Sequence, residues 1–179
     1  NYEYFNKNII NIKKIIWKLK KIEIYSDNLG NEKILNFVNN DDQLFSIIKN
    51  HKLYKILNKN LFSNKYCKKK KFNKRSKKFD KYDLIINTDY SGALTKKFFD
   101  KKILKTYNSL AYTTIINHEK ILNNVATQIF TKRGPLAFLP ISKTKTSIVY
   151  SIQNQKKNNT KNIRQLINQY NFKYKIKKI

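Results

Sequence analysis

Glycine and proline stand at only five places in this chain of 179 residues: Gly30, Gly92, Gly134, Pro135 and Pro140. Three of the five fall in one stretch, RGPLAFLPIS (133–142). Proline cannot donate to a β-ladder, so Pro135 belongs at a strand start and Pro140 where pairing stops. Between them Leu136, Ala137, Phe138 and Leu139 are all apolar, so both faces of this strand should be covered. One face is expected to meet a sheet core; the other meets either a helix or an apolar ligand pocket. So few glycines exclude a long glycine-rich phosphate cradle, and neither GxGxxG nor a GKS/T loop occurs.

Residues 15–27 (IIWKLKKIEIYSD) alternate from Leu19, with Ile22 and Ile24 on one face and Glu23 and Tyr25 on the other. This predicts a strand ending in the turn cluster Ser26-Asp27-Asn28, with residues 32–38 as its hairpin partner. Residues 41–62 predict a helix of about five turns, opened by Asp41 and Asp42 at the positive end of its dipole. Residues 66–81 are a lysine-rich run that reads as a solvated loop or as a phosphate-binding patch. The short apolar run 82–89 (YDLIINTD) reads as a buried strand of a parallel sheet, followed by a short helix or turn in SGALTKKFF. Runs 108–119, 124–133, 135–142 and 145–152 suggest an antiparallel meander, with Ser142-Lys143-Thr144 as its last tight turn. Residues 160–171 carry Ile163, Leu166, Ile167 and Tyr170 at helical spacing, and 172–179 alternate again.

The formal net charge is +28, which raises nucleic acid or an anionic membrane as partners. Lys, Asn, Ile, Tyr and Phe are enriched together, however, and all five have codons rich in A and T. Arg, the better residue for bidentate phosphate contacts, occurs three times. Base-composition drift is therefore read as the main source of the charge, and no specific nucleic acid is expected as a partner. A basic RNA-binding or ribosomal protein is the alternative function; it would bind RNA tightly with a steep salt dependence. Cys67 alone cannot form an internal disulfide, and no metal-ligand spacing is present. Neither His51 nor His118 lies in a catalytic spacing, and each reads as structural or solvated. No apolar run reaches the roughly 20 residues needed to cross a bilayer. The absence of Met suggests an internal segment of a longer protein.

YDLIINTDYSGALTKKFF, followed by YNSLAYTTIINHE, NVATQIFTKRGPLAFLPIS and TSIVYSI, resembles the middle of the FAD-dependent aromatic hydroxylases of ubiquinone biosynthesis, which act on polyprenyl phenols. The likeness runs most clearly from Tyr82 to Ile152 and is most specific at GPLAFLP. It implies an α+β (mixed α/β) fold, with an antiparallel substrate-domain sheet from 12–38 and 103–155. Residues 39–102 and 156–179 would supply part of an FAD-binding domain with a parallel sheet, or connecting helices. It implies a monooxygenase in which NAD(P)H reduces FAD and the flavin activates dioxygen to hydroxylate an electron-rich ring. Asp89 matches the motif Asp that helps hold FAD. Gln128, Phe130, Leu136 and Phe138 are the residues expected on the substrate side of the pocket. A polyprenyl-phenol substrate implies a cytoplasmic protein working at the inner membrane surface beside other quinone-synthesis proteins. Three positions depart from the family pattern: Tyr90 stands for its Gly, Ala93 for its Ser and Lys96 for its Arg. The family's amino-terminal GxGxxG and its later Gly-Asp motif lie outside these residues, so this segment alone should hold FAD weakly.

Overall fold

The computed structural model describes residues 2–30, 32–39, 43–70, 82–99, 103–153 and 160–179. The chain divides into two units, residues 1–60 with 107–179 and residues 61–106. The class is α+β, with a sheet that is mostly antiparallel.

A turn of helix, α1 (Tyr2–Tyr4), precedes β1 (Ile16–Leu19), β2 (Lys21–Ser26), β3 (Glu32–Val38) and β4 (Phe45–Ile48). Helices α2 (Asn50–Ser63) and α3 (Ala93–Phe98) follow, then β5 (Ser109–His118), β6 (Val125–Thr131), β7 (Gly134–Ser142), β8 (Lys145–Gln153), α4 (Thr160–Tyr170) and β9 (Ile176–Lys178). Seven strands join in the order β3-β2-β6-β7-β8-β5-β9, so the proline-bracketed strand β7 lies at the centre of the sheet.

Alternation sorts this sheet into two faces. On one face Tyr25, Ile129, Leu136, Tyr150 and Tyr112 follow one another in register across five strands. With Phe138, Ile148 and Ile152 they meet Ile163 and Ile167 of α4, and the core forms here. The 3.6-residue stripe predicted for 160–171 is thus the covering surface. At about 25 cal/mol per Å² of apolar area removed from water, burying side chains of this size dominates the stabilisation of the unit.

Several elements differ from the sequence-based expectation. The strand predicted over 15–27 breaks at Lys20, whose carbonyl and amide bond Asn39 and Asn124. Ile16–Leu19 thereby enters a separate two-stranded sheet with Phe45–Ile48. That pairing takes the first apolar residues of the predicted 41–62 helix, which starts instead at Asn50; Asp41 and Asp42 lie outside the described residues. A β-branched pair, Ile47-Ile48, suits a strand better than a helix, and tertiary pairing decides the matter. The four-strand meander is also reordered. β6, β7 and β8 are consecutive hairpins, whereas β5 pairs with the far side of β8, not with β6. In place of β5, β2 lies parallel to β6, the one parallel pairing among the described residues. Pro135 does start β7, but Pro140 does not end it. Pairing with β6 stops at Phe138 while pairing with β8 continues to Ser142 through an irregularity after Pro140.

One end of the sheet is closed by a buried polar knot. His118, Asn123 and Thr146 are almost fully buried. The His118 ring nitrogens lie 2.7 Å from the Glu119 carbonyl and 3.0 Å from Thr146 Oγ1. Asn123 Nδ2 donates to the Ser142 carbonyl at 2.8 Å and to Thr146 Oγ1 at 2.9 Å. Tyr174 donates to Asn123 Oδ1 at 3.1 Å, and Trp17 Nε1 donates to the Asn123 carbonyl at 2.7 Å. Such burial is tolerable because these polar groups find partners. The knot ties the amino-terminal strand, the β7–β8 turn and the carboxyl-terminal segment to one residue.

In the second unit, residues 82–89 form no strand, and every one of them is exposed. The expected buried parallel strand is therefore absent. An apolar run of this length buries itself only where neighbouring strands accept it. Residues 66–70 of the lysine-rich run are exposed and irregular, and 71–81 lie outside the described residues. Helix α3 forms where SGALTKKFF predicts a short helix.

Candidate functional site

The face of the large sheet opposite α4 is built differently from the core face. Leu35, Ile24, Gln128, Ala137, Val149 and Thr113 line up in register across six strands. Ile24, Gln128, Ala137 and Val149 are half-buried. Leu35, Phe37, Ile115 and Phe130 around them remain between 44% and 52% exposed. The result is a broad, mostly apolar wall with one amide, that of Gln128, near its centre.

This geometry separates the four residues expected to share a pocket. Gln128 and Phe130 stand on the open wall. Leu136 and Phe138 point into the core, where their exposure is 0% and 2%. The register explains the split. Gln128 is opposite Ala137 and Phe130 is opposite Pro135, so the residues of β7 that accompany them on this face are the odd-numbered ones. An apolar run does not reveal which of its two faces is the core, and the register puts Leu136 and Phe138 on the core face instead of the expected pocket face. Ala137 and Val149 are the wall residues that sequence reasoning missed. The small side chain between two larger ones in LAF was the available signal.

Asp89 lies in the second unit, in a turn before α3. Its Oδ1 accepts the Ser91 backbone N–H and the Ser91 hydroxyl, both at 3.0 Å. Its carbonyl accepts from the Gly92 amide, the Asn87 side chain and the Thr95 hydroxyl. This is an Asx-type turn that orders the approach to a helix. A Cβ at Gly92 would come within 2.3 Å of the end of the Asp89 side chain, which would have to turn aside from its present bonds. Tyr90, at the position where the resembling hydroxylases carry glycine, is not at positive φ. Glycine's special conformational freedom is therefore not called on at that position.

The described residues do not form the phosphate end of a flavin site. The amides of the Asp89 turn are used within the turn, and no glycine-rich strand-to-helix cradle is present among the described residues. No group of three or more His, Cys, Asp or Glu able to hold a metal occurs among the described residues. His118 is buried in the polar knot and His51 is exposed on α2.

On the α4 side of β2 the electrostatics are concentrated. Burial acts to raise the Glu23 carboxyl, but hydrogen bonds from Lys21, Lys33 and Tyr25 outweigh it and hold it at about 2, against an ordinary 4.5. Lys21 and Lys33 lie 2.7 and 3.0 Å from Glu23 Oε1. Burial together with a hydrogen bond to Asp27 pushes the Tyr170 hydroxyl up to about 12.

No protein-family model matches this chain, and no curated protein matches it significantly. No described helix is long and apolar enough to cross a membrane.

Proposed function

We propose that this chain supplies the substrate-side sheet of a flavin-dependent monooxygenase that hydroxylates a polyprenyl phenol with NAD(P)H and dioxygen. The reading rests on the likeness of GPLAFLP and its flanking strands to that family. The observation that carries it furthest is the wall opposite α4. A mostly antiparallel sheet covered by a helix on one side normally turns a polar face to solvent on the other. Here the face bearing Ile24, Ala137 and Val149 is left partly open around Gln128.

In this reading the flavin supplies the oxygen chemistry, and the chain's own residues supply shape. Ile24, Ala137 and Val149 exclude water from a bound aromatic ring. The Gln128 side chain orients the ring by donating a hydrogen bond to its oxygen substituent. Phe130 and Phe37, toward the margin of the wall, offer apolar surface to a prenyl tail. Asp89 organises its own turn and contributes to flavin binding only through the backbone conformation it fixes. The dinucleotide's phosphates would be held by chain outside these residues.

The test is a flavin titration of the polypeptide encoded by the complete reading frame that contains these residues, set beside the 179-residue chain. The longer polypeptide is expected to purify yellow and to consume NAD(P)H faster when a prenylated phenol is added. The 179-residue chain is expected to bind FAD weakly. A complete polypeptide that stays colourless at saturating FAD contradicts the proposal.

A further inference from the structure

A cavity of about 340 Å³ lies on the α4 side of the sheet, lined by Tyr25, Ile129, Gln169, Tyr170 and Phe172. Three of its five lining residues are aromatic. Tyr25 and Phe172 meet edge to face, with ring centroids 5.2 Å apart. Both tyrosines donate their hydroxyl to a carboxylate: Tyr25 to Glu23 Oε2 at 3.1 Å and Tyr170 to Asp27 Oδ2 at 2.8 Å. A phenol that donates to an anion gains electron density in its ring, and a richer ring face attracts cations more strongly.

The two carboxylates are not equivalent. Glu23 is answered by Lys21 and Lys33. Asp27 has no cationic partner among the described residues, although Lys and Arg number 39 in the chain. Among the described residues its Oδ2 accepts from Tyr170 and from the Lys132 backbone N–H, and its buried Oδ1 has no partner. A buried carboxylate oxygen in that state leaves negative potential uncompensated beside the Tyr170 hydroxyl.

We propose that this cavity binds a quaternary ammonium group. An ordinary ammonium is compact and strongly hydrated, and it gives up that water only to a full set of well-placed acceptors, which a mostly aromatic and apolar lining does not set out for it. A methylated ammonium has no N–H to satisfy, presents an apolar surface to Ile129 and Phe172, and keeps its charge for the aromatic rings and for Asp27. Lys21 and Lys33, close to the lining Tyr25 through Glu23, are answered by that carboxylate, so the attraction for a cation rests on the aromatic rings and on Asp27. The site is independent of the flavin reading: it lies on the opposite face of the sheet from the open wall.

The test is calorimetric titration of the 179-residue chain with choline and with tetramethylammonium. The comparator is the neutral isostere of choline in which a tert-butyl group replaces the trimethylammonium. Saturable binding of both cations is expected, with the neutral isostere weaker by about tenfold, the size of one good cation–π contact. Phe172→Leu, at an exposed position that leaves the core intact, should weaken choline by a similar factor, and so should Asp27→Asn. Equal affinity for the neutral isostere, or unchanged choline binding in Phe172→Leu, overturns the proposal. Retention on phosphatidylcholine vesicles without saturable binding of free choline overturns it too, because the chain would then be reading a lipid surface.

Discussion

Gly134→Ala should cost about 4 kcal/mol of folding stability, the sum of backbone strain and a steric collision at one atom. Gly134 sits at φ +136°, a region closed to residues with a side chain. A Cβ there would lie 2.1 Å from the Ser151 carbonyl oxygen. That oxygen cannot withdraw freely. Ser151 is flanked in β8 by Tyr150 and Ile152, both buried in the core, and the next residue but one donates its amide to the Arg133 carbonyl at 3.0 Å. Thr131 further fixes the turn by donating its hydroxyl to the Gly134 carbonyl at 2.7 Å. Natural domains hold only about 5–15 kcal/mol in total, so the variant should lose a large share of its denaturation midpoint. A variant within about 1 kcal/mol of the parent would mean that this hairpin is more pliable than its contacts indicate.

The second large effect is expected at Asn123→Ala, again about 4 kcal/mol, by a different route. The asparagine side chain serves the Ser142 carbonyl, Thr146 Oγ1 and the Tyr174 hydroxyl at once. Removing it leaves the Tyr174 hydroxyl without its Asn123 acceptor in a site too buried for water to repair easily. Tyr174→Phe should cost less, about 1–2 kcal/mol, because it removes one bond and keeps the ring contacts to His118 and Phe138. In the double variant the effects should fall short of their sum by about 1 kcal/mol, since both act on the same hydrogen bond. Urea denaturation of the four proteins reads all three quantities. Strict additivity would show that Tyr174 and Asn123 do not act together.

The parts of the fold that could be read from the sequence were those whose periodicity has a single physical solution. Residues 160–171 could bury Ile163 and Ile167 only as a helix, and the β2–β3 hairpin followed from alternation closing on a turn. The β7–β8 turn was legible for the same reason. Residues 45–48 were misread because four apolar or small residues fit a strand and a helix stripe equally well, and the deciding partner, Ile16–Leu19, lies far away in sequence. The place of β5 beyond β8 was hidden likewise, since strand order is set by long-range pairing that local pattern does not encode. Residues 82–89 differ in the opposite sense: an apolar run is not by itself burial, and each of these residues is exposed. Of the residues expected in one pocket, GPLAFLP supplies Leu136 and Phe138, and both lie on the core face of β7. Only the register of β7 against β6 and β8 shows that Ala137, not Leu136 or Phe138, shares a surface with Gln128.

That distinction makes the decisive measurement a simple one. Ala137→Trp, made in the product of the complete reading frame, fills the wall opposite α4 without entering the core. Hydroxylated product formed from a prenylated phenol should fall on the order of 100-fold, the usual consequence of misplacing a substrate by about an ångström, while thermal melting stays near that of the parent. Undiminished product formation in Ala137→Trp, with the protein folded, would show that this wall is not where the substrate lies.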